Sequence, residues 1–312
     1  MGFLSEIFGY LLNFFYEMIH SYGIAIIIFS VLLRLILIPI TIKQQKTMKK
    51  SAKMQEKMKE IQHKYKNNPE KLNQETIELY KTEKLNPFSG CFSAILQLLI
   101  ILSVFWMVSQ PLTYMKKIDK QVIDDYKTQI TEANNGQKTT YPEIEIISKI
   151  ETEYEDINTQ LAQQEVENRE ELEQKKKTLE DMRINMQFLG LDLSKVPTQN
   201  LGDWKVYVIP VLYVITSFVS IKITTSAQKK AMKKKEIVID ENGKESSQDD
   251  MLDSMQQMNN SMLYMMPIMS ISIAAIAPLG LALYWLVSNI LMIVERLIIN
   301  QFIGAKEEEE NA

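Results

Sequence analysis

Arg34 stands among isoleucines, leucines and a few small side chains in GIAIIIFSVLLRLILIPITIK, the stretch Gly23–Lys43. An arginine at the centre of a membrane helix costs roughly 2.5–3.5 kcal/mol on insertion scales. It cannot shed its proton, so it needs water, a counter-ion or a phosphate. At 1.5 Å per residue it lies about 12 Å from the end of the stretch at Ile42, too deep for easy snorkelling. A carboxylate of similar depth exists: Glu295, about 10 Å from Phe302 in the last apolar stretch. Two chemistries are open. Either Arg34 and Glu295 form an ion pair that holds two helices together, or Arg34 sits in a wet cavity and receives an anionic guest while Glu295 is interfacial. Arg296 follows Glu295 on a different helical face.

Other polar side chains fall inside apolar stretches: Ser30 one turn before Arg34, Gln97, then Thr216, Ser217 and Ser220, and Asn289. Each alone reads first as an interhelical hydrogen bond. Together with Arg34 they suggest a hydrophilic groove. Tyr284 and Trp285 read as an aromatic belt. No catalytic constellation accompanies them. The two histidines, His20 and His63, are far apart in sequence, and no Gly-rich phosphate loop, HExxH or CxxC occurs. The expectation is a protein that is not an enzyme, with no metal and no small-molecule cofactor. The single cysteine, Cys91, excludes an internal disulfide and reads as a small apolar residue.

The elements that must position these residues are membrane helices. The composition, 46% hydrophobic and 24% charged with net charge −4, hides strong clustering. Spanning a bilayer takes roughly 20 apolar residues, and five segments qualify: 23–42, 87–109, 205–225, 261–277 and 279–303. The expected fold is an all-α polytopic membrane protein with five transmembrane helices, a cytoplasmic helical hairpin and an extracytoplasmic helical insertion. Residues 1–22 carry Phe8, Leu11, Leu12, Phe15, Met18 and Ile19 at helical spacing, which predicts an amphipathic helix at the interface. Their two carboxylates and the lack of a basic start or cleavage site do not fit a signal peptide.

Lysines set the orientation. They crowd 43–86, between the first two spans, and SAQKKAMKKKE within 226–260. The positive-inside rule puts both segments in the cytoplasm, 110–204 outside, the N-terminus outside and the acidic tail 304–312 inside. Within 43–86, Met54, Met58, Ile61 and Tyr65 form one stripe, and Leu72, Thr76, Leu79 and Tyr80 another. Asn68-Pro69 between them reads as an N-cap followed by proline at the first helical position. Its lysines offer a docking surface for anionic lipid or an RNA-containing partner. Within 110–204, Met115, Ile118, Val122 and Tyr126 predict one helix and Ile147, Ile150, Tyr154, Ile157 and Leu161 a coiled-coil seam. Leu172, Leu179, Met182 and Met186 resume the spacing after a register slip. Both ends must return to the membrane, so this insertion folds back on itself.

Three blocks carry a resemblance to a known family. They are FSVLLRLILIPITIKQQKTMKK and its continuation to NPFSGCFSAILQLLI, then FLGLDLS, then MPIMSISIAAIAPLGLALYWLVSN. The chain resembles the YidC family of membrane protein insertases, which includes mitochondrial and chloroplast relatives. The resemblance implies insertion of small nascent membrane proteins into the phospholipid bilayer, alone or beside the Sec translocon. It implies a groove open to the cytoplasm and to lipid, with Arg34 as the groove arginine and Ser30 and Gln97 among its polar residues. Tyr284 and Trp285, with Ile273, match a slide for the apolar part of the substrate. The hairpin matches a mobile element that recruits substrate. The long insertion, the acidic tail and Glu295 depart from that pattern, and the tail speaks against docking a ribosome through it. The expected location is the plasma membrane of a single-membrane bacterium. Two other functions fit parts of the sequence: an anion channel or transporter using Arg34, and a membrane-anchored scaffold acting through the coiled coil.

Overall fold

A computed structural model describes residues 2–65, 68–82, 89–163, 168–232 and 272–309, and they are predominantly helical. Among the described residues, three helical stretches are long and apolar enough to cross a membrane: Tyr22–Thr47, Trp204–Ile223 and Leu279–Ile299. The helix Ser89–Ser109 contains a shorter apolar run, Ile95–Ser109. Of the expected span 261–277, only residues 272–277 are described, and Cys91 and His63 lie where side chains are not described. The chain divides into two compact units.

The first unit comprises Met1–Leu33, Leu98–Tyr213 and Ser272–Ser288. It opens with α1 (Gly2–Ile19) and the start of α2 (Tyr22–Lys64), and takes in the end of α4 (Ser89–Ser109) and the short α5 (Pro111–Tyr114). α1 docks closely because Gly9 has no side chain: a Cβ there would run into the Tyr114 carbonyl. Ser5 Oγ donates to Ser103 O at 3.1 Å, and Lys116 pairs with Glu17 at 2.8 Å. The expected apolar stripe divides. Phe8 and Leu12 turn to the protein with Ser5, Gly9 and Tyr16, while Phe3, Ile7, Tyr10, Phe14 and Met18 form a second, exposed stripe. A helix that is apolar almost all round gives periodicity no single face to report.

The insertion is a small helical bundle of α6 (Lys120–Ala133), α7 (Pro142–Leu161) and α8 (Arg169–Met182), with α7 packed on both others. Asp119 caps α6 by accepting the Gln121 amide at 2.7 Å. The seam residues Ile147, Ile150 and Ile157 of α7 are buried, joined by Ile144 and Ile146 of α7 and by Leu179 and Met182 of α8. In the segment before it the register differs from the expected stripe. Lys117 takes a left-handed φ of 56°, the helix starts only at Lys120, and so Ile123 and Ile130 face inward while Val122 is exposed. The turn after α6 uses positive φ at Asn135 and Gly136, which these residue types tolerate.

After α8 the chain forms a two-stranded hairpin, β1 (Gln187–Phe188) and β2 (Leu191–Asp192), paired Gln187↔Asp192 and Phe188↔Leu191. Two 3₁₀ turns, Pro197–Gln199 and Trp204–Tyr207, lead into α9 (Val208–Met232). The helical turn 272–276 precedes α10 (Leu279–Glu309), whose first residues belong to this unit.

The second unit comprises Arg34–Gln97, Val214–Ile271 and Asn289–Ala312. Here α2 runs on through Pro39 to Lys64, so the first apolar stretch and the lysine-rich arm after it are one helix of 43 residues. It folds back into α3 (Pro69–Thr82). Asn68 Oδ1 accepts the Lys71 amide at 3.1 Å and Pro69 takes the first helical position, which satisfies a helix start. Tyr65 Oη donates to Glu75 Oε1 at 3.1 Å across the two arms.

Candidate functional site

The apolar helices of the second unit bring their charges together. Arg34, twelve residues into the apolar stretch that begins at Tyr22, places Nη1 3.7 Å from Glu295 Oε2 on α10. The two side chains are only 18% and 10% exposed. At 3.7 Å this is an ion-pair contact longer than a hydrogen bond, not the bidentate fork an arginine can make with a carboxylate. Neither Glu295 oxygen has a hydrogen-bond partner among the described residues. Electrostatic attraction therefore holds the pair without locking its geometry.

Arg296 changes the balance. Its guanidinium is half-buried and lies within electrostatic reach of both Arg34 and Glu295. Adjacent helix positions differ by about 100°, which suggested separate surroundings. The low-dielectric interior carries charge–charge interaction further than water would, so these groups need not share a helical face to influence one another. Two cations and one carboxylate thus influence one another within this unit.

The hydroxyl and amide residues have distinct partners. Asn289 Nδ2 on α10 donates to Thr216 Oγ1 and to Ser217 Oγ on α9, each at 3.1 Å. Ser217, Ser220 and Asn289 are all buried. They tie α9 to α10, as polar side chains commonly do between membrane helices. Gln97 is half-buried on α4. These residues, with Arg34, Glu295 and Arg296, belong to the second unit.

Ser30, Ile273, Tyr284 and Trp285 belong to the first unit. Ser30 is buried and returns its hydroxyl to Ile26 O at 2.7 Å, one turn back on its own helix. Ile273 is half-buried and its carbonyl accepts the Ala277 amide at 2.9 Å, closing the turn before Pro278. Tyr284 is buried, and the half-buried Trp285 lies 6.2 Å from the Tyr213 ring, tilted by 38°. Among the described residues no cluster of His, Cys, Asp and Glu could hold a metal ion.

Comparison with known proteins gives this arrangement its context. A family described as 60Kd inner membrane protein matches residues 14–307. A curated membrane protein insertase YidC of Caldanaerobacter subterraneus subsp. tengcongensis is 40% identical over 108 residues, which is 35% of this chain and 52% of that protein. One of Fusobacterium nucleatum is 39% identical over 102 residues, 33% of this chain and 50% of its own length. One of Geobacter metallireducens is 43% identical over 94 residues, 30% of this chain but 18% of its own length. The matches thus span about half or less of the relatives. Together with the apolar helices they identify an integral protein of the cell membrane.

Proposed function

The chain belongs to the 60Kd inner membrane protein family, and we propose that it is a membrane protein insertase and chaperone for small nascent membrane proteins. The observation that carries this reading is the Arg34–Glu295 pair, a half-buried cation against a carboxylate with no hydrogen-bond partner among the described residues, within electrostatic reach of the half-buried Arg296 on apolar helices. Moving a polar tail across hydrocarbon is expensive, because each unsatisfied polar group costs several kcal/mol. A cationic, wet half-channel shortens the dry distance and attracts acidic residues of that tail. Partition of the following apolar span into lipid drives the step, so no nucleotide is needed.

In this reading Arg34 binds the guest, and Glu295 keeps it soluble in the membrane until the guest arrives. Gln97 and the Ser217, Ser220 and Asn289 group provide the polar lining of the groove, with Ser30 one helical turn from Arg34. Ile273, Tyr284 and Trp285 guide the apolar part of the substrate. Five spans, with the N-terminus outside, the C-terminus in the cytoplasm and 110–204 outside, complete the arrangement. The lysine-rich α2–α3 arm recruits substrate from the cytoplasm, and the Sec translocon and the ribosome are its partners where substrates need them.

The test is reconstitution. Purified protein in liposomes should insert a small single-span protein and should not release trapped anions. Anion flux without insertion would support a channel instead. Function lost on deleting the helical bundle 120–182, but kept in Arg34→Ala, would support a scaffold.

A further inference from the structure

The hairpin between the insertion and α9 carries a residue that a water-facing turn would not choose. Leu189 and Gly190 connect β1 to β2, with φ of +51° and +76°. A two-residue hairpin turn with positive φ at both positions favours Asn-Gly or Asp-Gly. Leucine pays a steric penalty there. Leu189 is nevertheless 86% exposed, the highest exposure of any large apolar side chain among the described residues. Neither backbone preference nor protein packing accounts for it.

The position of the hairpin does. Phe188 lies against Gly23, the second residue of the apolar stretch Tyr22–Thr47. A Cβ at Gly23 would meet the Phe188 ring at 2.5 Å. The Tyr22 amide donates to Asn185 O at 3.1 Å on the approach to β1. Beyond β2, Leu193 O and Lys195 O accept the Gly280 and Leu279 amides, each at 2.9 Å, in the first turn of the stretch Leu279–Ile299. Both flanks of the hairpin are thus pinned to residues where apolar helices begin. The tip is held beside the first residues of two helices long and apolar enough to cross a membrane.

The chemistry of the surroundings agrees. Met186–Leu191 contains no charged residue, and the Asp192 carboxylate is turned back to the amide and hydroxyl of Ser194. On the same stretch of chain, Leu201 and Trp204 are also strongly exposed, and Trp204 opens the apolar stretch Trp204–Ile223. Tryptophan at the end of a membrane helix is an interfacial anchor.

We propose that Leu189 and the hairpin tip insert into the lipid leaflet at this end of the helices, with the side chain among acyl carbons just beneath the head groups. The hairpin is then a non-helical membrane anchor. Only its tip enters, because its few backbone groups reach water or pair with each other. This assignment does not depend on insertase activity. It commits to lipid as the occupant, on the continuity of the tip with three membrane-entry points and the absence of charge around it.

Two measurements test it. In the full chain with Cys91→Ser, an environment-sensitive fluorophore is placed on Leu189→Cys or, as an exposed reference in the insertion, on Gln137→Cys. Liposomes then contain either phospholipid with a nitroxide at carbon 5 or iodide on both faces. The Leu189 probe should be quenched several-fold more by the nitroxide lipid, and several-fold less by iodide, than the Gln137 probe. Equal iodide quenching would overturn the proposal, and so would shielding from both quenchers, which means a protein covers the tip. The second measurement uses the unaltered chain with a photoreactive acyl-chain lipid and tryptic digestion. The peptide Ile184–Lys195 should carry the lipid adduct. Adducts confined to the apolar helices would contradict it.

Discussion

Glu143 is 1% exposed and gives both carboxylate oxygens to Thr113: Oε2 accepts the amide at 3.0 Å and Oε1 accepts the hydroxyl. Glu143 is in the first turn of α7 and Thr113 is in α5, directly after α4. One side chain therefore ties the insertion bundle to the apolar helix it follows. Burial pushes its carboxyl above the ordinary 4.5, against the lowering effect of the Thr113 bonds. Between 4.5 and that raised value the folded chain holds a proton that the unfolded chain has lost, so stability falls as pH rises through the window. Glu143→Gln should remove this slope while keeping an acceptor. Glu143→Ala leaves both Thr113 donors without one and should cost about 1–3 kcal/mol. Thermal unfolding between pH 4.5 and 7 checks both outcomes.

Gly23 and Phe188 form a steric lock between the start of α2 and the hairpin. Gly23→Ala puts a methyl group 2.5 Å from the ring, and overpacking of this kind costs about 1–3 kcal/mol. Phe188→Ala in the same chain should recover part of that loss. A double-mutant cycle on melting would contradict the lock if the two effects simply added.

Asn289 should contribute modestly. Its two 3.1 Å bonds to Thr216 and Ser217 link α10 to α9. Interhelical hydrogen bonds in membranes average about 0.6 kcal/mol. Asn289→Leu should therefore weaken resistance to denaturing detergent by about that amount. The double variant with Ser217→Ala should lose little more, since the contact that Ser217→Ala removes is one that Asn289→Leu has already removed.

Arg183 braces the insertion. It holds Glu151 through Nε at 2.8 Å and through Nη2, and its guanidinium lies 3.7 Å from the Tyr154 ring centre. The pair is about a third exposed, so solvent screening limits its value to roughly 0.5–1 kcal/mol. Arg183→Lys should lose most of this, because an ammonium cannot reproduce the planar fork. Chemical unfolding of the two proteins side by side reads the difference.

Much of this architecture is legible in the residues, for physical reasons that also mark where legibility ends. Asn68-Pro69 announces a helix start because only a few side chains can satisfy free amides there. The α7 seam is readable because water on one side and protein on the other force a contrast at positions 147, 150 and 157. The α1 stripe is not, because lipid and protein interior are equally apolar. Which of Phe8 or Phe14 faces the protein is decided by Gly9 meeting Tyr114, a contact across a hundred residues. The proximity of Arg34 and Glu295 could be anticipated by counting rise per residue. The electrostatic influence of Arg296 on both could not, since adjacent helix positions fall on different faces. FLGLDLS is visible as a motif, but the exposure of Leu189 at its tip needs the pairing register of the hairpin.

The measurement that tests the central claim most directly varies charge on both sides of the proposed contact. A single-span substrate is made with an acidic, a neutral or a basic tail. Each is offered to liposomes carrying the unaltered protein, Arg34→Ala or Glu295→Gln. If the Arg34 cluster receives the tail, the unaltered protein inserts the acidic tail fastest, by about tenfold over the basic one. Arg34→Ala should abolish that preference, and Glu295→Gln should preserve or sharpen it. Tail charge without effect in the unaltered protein, or loss of insertion in Glu295→Gln equal to that in Arg34→Ala, would contradict the account and leave the pair as a structural tie between α2 and α10.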